Sequence, residues 1–278
     1  MTELDPGPAV QRVILGANLL TAREAASLTS SEATSALKWH AGKLTRVEQG
    51  VVPVRASDLE DCIRVYNIPS SEHRRLRDLA ADGRRKLPPS RVPEWASRYV
   101  HLIQGAHELK LFYEASWPGT VQTADFARAL LYRSITVASV DVDRMAEERV
   151  ARVERLKSSG RPNLWLVVGQ AALEIEIGGR ETLRGQLELI RDLAELPNVE
   201  VQVIPKDGGA HAAHGVAFSL ITLIEGSPGI VYLEGLTGSE YLGREHVRTY
   251  KLAFDNLMAT ALSPQGTMEL INRRIKEL

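Results

Sequence analysis

Residues Leu28–Gly50 read LTSSEATSALKWHAGKLTRVEQG, and this stretch decides the N-terminal fold. Ala33 falls in the middle of a first short helix, where close approach of a second helix demands a small residue, and Leu37 ends that helix. A turn of a few residues leads to a second helix whose apolar face is Leu44 and Val47, so the two can cross as a helix-turn-helix. Thr29 and Ser30 open the first helix, and His40, Lys43, Thr45 and Arg46 face outward from the second. These are hydrogen-bonding or cationic groups, of the kind that reach phosphates and base edges from a helix in the major groove. Lys43 and Arg46 read equally well as phosphate contacts and as plain solvated charge. Trp39 reads as a packing residue at the turn, and Glu48 as the partner of a nearby arginine rather than a neighbour of an anionic duplex.

On either side of this stretch, apolar residues recur at helical spacing in Val10–Leu20 and again in Leu59–Tyr66. A further helix, Ser70 to Gly83, runs into the basic segment Arg84-Arg85-Lys86-Leu87-Pro88-Pro89-Ser90-Arg91-Val92-Pro93, which neither a helix nor a central strand tolerates. The expected organisation is a five-helix domain over 1–83, a linker over 84–93 and a second domain over 94–278. Residues 1–86 carry 13 Lys and Arg against 11 Asp and Glu, and the whole chain has a net charge of −1. So small an excess argues against coating nucleic acid through bulk electrostatics. It predicts a homodimer that gathers local cations from two copies onto a double-stranded operator.

The second part mixes helical and strand patterns. Trp95–His107, Thr123–Tyr132, Val140–Lys157, Glu181–Leu196, His246–Leu262 and Gln265–Leu278 read as helices. Leu109–Tyr113, Leu164–Val168, Val199–Val203, Val216–Ile224 and Ile230–Leu233 read as strands, with a hairpin turn at 225–229 between the last two. The predicted class is α+β with a mostly antiparallel sheet. No run reaches the roughly 18 apolar residues of a membrane span, and no secretion signal opens the chain, so a cytoplasmic location is expected. The one cysteine, Cys62, reads as a buried thiol. There is no phosphate-binding GxxxxGK[ST], GxGxxG, HExxH, GxSxG or CxxC signature, so no catalytic residue, metal or cofactor is assigned, and an enzyme is not the expected reading.

The polar features that remain are His211 and His214 in a Gly- and Ala-rich loop, Glu234 at a strand end, and Tyr241 just beyond it. Two histidines fix no third metal ligand by spacing; they could line a pocket mouth with Glu234 orienting one of them, or lie in a plain surface loop. Trp117 and Trp165, with Trp95, Phe112, Tyr113, Phe126 and Phe218, could enclose an apolar ligand or simply fill a core.

The order Arg23-Glu24-Ala25-Ala26, Leu28-Thr29, Leu37, Trp39, Lys43-Leu44, Arg46-Val47-Glu48, Gly50, Asp58-Leu59 and Tyr66 resembles the Xre-type regulators of actinomycetes that carry a C-terminal, antitoxin-like domain of the uncharacterised DUF5753 type. In the second half, Trp117-Pro118-Gly119-Thr120-Val121-Gln122-Thr123 and the following Ala124–Leu130 resemble that family's "PGLLQT..YARAL" segment. Glu148-Arg149-Val150-Ala151-Arg152, Pro197–Pro205, Gly209-Ala210-His211, Val231-Tyr232-Leu233-Glu234 and Leu262-Ser263-Pro264 follow in the family's order. The resemblance implies a DNA-binding regulator, of secondary metabolism or development, whose second domain senses a small molecule or a small partner protein. Three departures thin the implied contact surface: Ser30 replaces a Gln, Lys38 a turn glycine, and Ala41 an Arg. Gly42 adds a helix cost of about 1 kcal/mol relative to Ala. Alternatives therefore stay open: a repurposed chain with weakened DNA binding whose second domain binds or transforms a small molecule, or an antitoxin-like partner-binding protein.

Overall fold

The structure is a computed structural model that describes residues 7–86, 94–158, 160–226, 229–236 and 238–278. The expected linker beyond residue 86, Ser227 and Pro228 of the expected hairpin turn, Thr237, and the Trp95 side chain lie outside the described residues. The chain divides into two compact units, one built on the N-terminal helices and the other on a sheet with its own helices.

Among the described residues the first unit is built on α1 (Gly7–Ala25), α2 (Ser30–Leu37), α3 (Ala41–Glu48), α4 (Ala56–Val65) and α5 (Ser70–Gly83). Their periodic apolar residues close one core: Leu15 and Leu19, Ala33 and Leu37, Leu44 and Val47, Leu59, Cys62 and Ile63, Leu76 and Ala80, with Leu28 and Trp39 packed at its edge. Burial pushes the Cys62 thiol up to about 12, so it is an inert apolar group at neutral pH.

Local chemistry sets the ends of α2. Thr29 caps it, accepting from Glu32 N at 3.2 Å while Glu32 Oε2 accepts from Thr29 N at 2.8 Å, a reciprocal pair that satisfies two otherwise orphaned donors. At its other end Lys38 adopts the left-handed conformation, φ 54° and ψ 38°. The Trp39 amide then reaches back to Thr34 O at 2.8 Å, closing the turn with a lysine where glycine is the usual residue.

Two glycines set how closely α3 lies on α1. A Cβ at Gly16 would sit 2.5 Å from the carbonyl oxygens of Val47 and Glu48, and one at Gly50 2.5 Å from Val13 Cα. Backbone meets backbone there, and no side chain fits. Arg23 reinforces the contact from the end of α1, donating to Glu48 Oε1 at 2.6 Å and to Leu28 O at 2.7 Å from a position only 8% exposed.

After α5 come α6 (Glu94–Gln104), of which the residues up to Tyr99 count with the second unit and Val100–Gln104 with the first, and then, in the second unit, β1 (Glu108–Tyr113), α7 (Ala124–Leu131), α8 (Val142–Lys157), β2 (Asn163–Gly169), α9 (Arg180–Ala194), β3 (Val199–Ile204), β4 (Phe218–Thr222), β5 (Ile230–Glu234), β6 (Ser239–Leu242), α10 (Arg244–Thr260) and α11 (Pro264–Glu277). The six strands form one sheet in the order β3-β2-β1-β4-β5-β6. The β1–β2 and β2–β3 pairs are parallel, and the β1–β4, β4–β5 and β5–β6 pairs antiparallel. The class is therefore α+β with a mixed, mostly antiparallel sheet. The short polar strand β6 is absent from the sequence-based expectation.

Strand alternation gives the sheet two faces. Phe112, Val167, Phe218, Leu220 and Val231 pack against Val247, Phe254 and Leu257 of α10, with Trp165 and Leu242 beside them. The opposite face carries the row Leu111, Ser219, Tyr232 and Tyr241, which register places side by side across four strands. Trp165 packs at the edge of the α10-side core with Phe112 and Phe218, and Trp117 is fully buried, its carbonyl accepting from Gln122 Nε2.

Gly16→Ala should cost about 3 kcal/mol in urea unfolding, because the methyl has only backbone to displace; an unchanged midpoint would contradict the close packing. Lys38→Gly should add about 1 kcal/mol by removing the left-handed strain, measured in the same assay.

Candidate functional sites

α3 presents its polar side to solvent. Its N-cap is His40, whose Nδ1 accepts from Lys43 N at 3.0 Å. That bond leaves the proton on Nε2, so the imidazole offers a donor outward. Thr45 is exposed but turns its hydroxyl onto Ala41 O at 3.2 Å. Arg46 is exposed and forms no ion pair among the described residues. Lys43 differs: it is half-buried, bonded to Asp58 Oδ1 at 2.8 Å, and lies 4.1 Å above the Trp39 ring. It joins α3 to the start of α4 and holds Trp39 in place, so much of its charge is already used inside the domain. Thr29 and Ser30 lie exposed at the start of α2, with Thr29 occupied as its cap.

Arg55, which the sequence reading passed over, is the exposed N-cap of α4 and, like Arg46 and Lys38, has no ion pair among the described residues. Its signal was its place one residue before a helix start. Glu48 pairs with an arginine, as expected, but the partner is Arg23, 25 residues away in sequence; both are nearly buried and contribute to packing rather than to the exposed face.

In the second unit the sequence-predicted residues fall into two groups. His211 and His214 come together with their ring nitrogens 3.3 Å apart, but the carboxylate beside them is Glu114, not Glu234. Glu114 Oε1 lies 3.9 Å from His214 Nδ1, and its other oxygen accepts from Gly215 N at 3.1 Å. Burial, then the neighbouring His214, lowers the His211 pKa, which keeps that ring neutral at pH 7. One ligand atom from each of the three residues lies within 4.8 Å of the others, the group among the described residues that is able to hold a divalent cation. No spacing rule could link Glu114 to a loop almost a hundred residues later.

Glu234 belongs to the opposite face of the sheet, where it accepts from the Tyr232 hydroxyl at 2.9 Å. Tyr232 stacks on Tyr99 of α6 with ring centroids 4.1 Å apart, and lies 5.2 Å from Tyr241, over which Arg98 is placed at 4.2 Å. The Tyr99 hydroxyl lies 3.4 Å from Ser219 Oγ. Burial raises the pKa values of Tyr99, Tyr113 and Tyr232 and takes Tyr241 up to about 12, so all four phenols stay protonated and can donate.

Facing these rings are Arg149 and Arg152, one turn apart on α8. Burial, then the neighbouring Arg152 charge, brings Arg149 down to about 10; burial also lowers Arg152. Arg149 donates to Gln122 Oε1, and Gln122 Nε2 in turn donates to Trp117 O at 2.6 Å. A Cβ on Gly119 would lie 3.2 Å from Arg152 Nη1 and 3.4 Å from Arg149 Nε, so both guanidiniums rest on bare glycine backbone. Three separate stretches thus meet here: Trp117–Gln122, Arg149 with Arg152, and Tyr232 with Glu234.

With this geometry in view, two family profiles match the chain. A "Helix-turn-helix domain" covers residues 14–76, and a "Domain of unknown function (DUF5753)" covers residues 96–273. No curated protein and no solved structure matches. Among the described residues no helix is long and apolar enough to cross a membrane. The chain belongs to the DUF5753 family, with a helix-turn-helix domain preceding the family's domain.

Proposed function

We propose that this protein is a sequence-specific DNA-binding transcription regulator that acts as a homodimer, with α3 as the helix that enters the major groove and the second unit as the sensor of a small molecule. The observation that carries this reading is the exposed face of α3: an outward imidazole on His40, Thr45, and an Arg46 not committed to any carboxylate among the described residues. Arg46, Lys38 and Arg55 supply phosphate contacts around it, while Lys43 acts mainly by holding Trp39 and Asp58. Few cations per copy favour a dimer, whose second recognition helix about 34 Å away doubles the phosphate contacts on a palindromic operator. The sensing role is supported by the protonated phenols and closely set arginines of the second unit, a polar assembly that a purely structural core does not need.

The test is fluorescence anisotropy with a duplex from the region upstream of the protein's own gene. Salt-sensitive binding at micromolar protein is expected, and its absence would overturn the regulator reading. Arg46→Ala should weaken binding at least tenfold and reduce the salt slope by about one, with the melting temperature unchanged. Lys43→Ala should instead lower the melting temperature. If Arg46→Ala binds like the parent, α3 is not the recognition helix. Light scattering at twice the chain mass checks the dimer.

A further inference from the structure

Buried charges in proteins are paired, or else they hold something. Arg149 and Arg152 depart from that rule. They are half-buried side by side on α8, and among the described residues neither lies within ion-pair distance of a carboxylate. Arg149 has only the neutral amide of Gln122, and Arg152 Nε is buried with no hydrogen-bond partner. Glu234 and, for Arg152, Glu148 attract them only from beyond ion-pair distance, and Glu234 also accepts from the Tyr232 hydroxyl. The two like charges oppose each other, both have lost much of their hydration, and several phenolic donors stand around them. A planar guanidinium fork suits a carboxylate or phosphate, and two of them here rest against the same glycine.

We infer that Arg149 and Arg152 form the binding site for the oxyanion group of a small-molecule effector, with Tyr99, Tyr113 and Gln122 beside it and Gly119 forming the bare backbone floor that leaves room for the ligand. The inference rests on the sensing role assigned above to the second unit and names the chemistry of its effector. It also accounts for why Trp117–Gln122, the Arg149–Arg152 turn and Tyr232–Glu234, far apart in sequence, meet at one place.

The test uses the full chain and two probes, sodium phosphate and sodium acetate, each compared with sodium chloride at equal ionic strength. A saturable rise in melting temperature of about 5 °C is expected at tens of millimolar of the recognised probe. A response to phosphate but not acetate identifies a phosphorylated effector; the reverse identifies a carboxylate. Arg149→Gln with Arg152→Gln should abolish the rise. Because that pair could compromise folding, Gly119→Ala is the second variant: the atoms nearest its methyl belong to the flexible Arg152 and Arg149 side chains, at 3.2 to 3.6 Å, so it should melt like the parent without added probe and raise the apparent Kd at least tenfold. No rise with either probe, or a rise that persists in both variants, would overturn the site. DNA anisotropy on the same samples separates the two readings: intact DNA binding without an anion response removes only this site. A variant-sensitive anion response without DNA binding keeps the site and removes the regulator.

Discussion

The first unit depends on the backbone-to-backbone docking of α3 on α1. Gly16 and Gly50 allow the last carbonyls of α3 and the turn after it to reach van der Waals contact with the α1 main chain. A helix of eight residues has no independent stability in water. Its orientation therefore comes from this contact, from Leu44 and Val47 in the core, and from the nearly buried Arg23–Glu48 pair. Removing one member of such a pair leaves the other charged and desolvated, so the pair fixes geometry more than it adds stability. With α3 held on its inner side, its outer side is free to carry chemistry, and the Lys43–Asp58 bond and the Lys43–Trp39 contact steady its first turn.

In the second unit, one face of the sheet is an ordinary apolar core against α10. The other gathers phenols, a buried glutamine and two arginines. The contrast has a simple source. Strand alternation places Ser219, Tyr232 and Tyr241 on one side and Leu220, Val231 and Leu242 on the other, and the antiparallel register aligns each set across β4, β5 and β6. The sheet thus separates a packing surface from a polar one, and the helices that follow β1 bring the cations to the latter.

Much of the first unit was legible in the sequence because its determinants are local. The small residue Ala33, the apolar pair Leu44 and Val47, the Thr29 start signal and the left-handed demand on Lys38 all act within a few residues. The sheet was legible where strands are apolar runs, as at Leu164–Val168, and not where a strand is polar: Ser239–Leu242 is defined by its pairing with β5 rather than by its own composition. The sites were legible least. His211 and His214 could be singled out by type, but their carboxylate, Glu114, comes from just beyond the end of β1, and Glu234 faces a different set of partners. Arg149 and Arg152 lie on a helix that alternates Glu and Arg, which gives no local sign of burial; only the fold shows that these two turn inward over Gly119.

In the proposed regulator, the outer side of α3, positioned by α1, is the surface that meets DNA. Amide chemical-shift mapping of the full chain titrated with the upstream duplex tests it most directly. The largest perturbations are expected at the start of α2, on His40 to Arg46 and on Arg55, with little change at the helices' inner positions such as Leu44 and Val47. Perturbations centred on the second unit, with α3 unaffected, would contradict it.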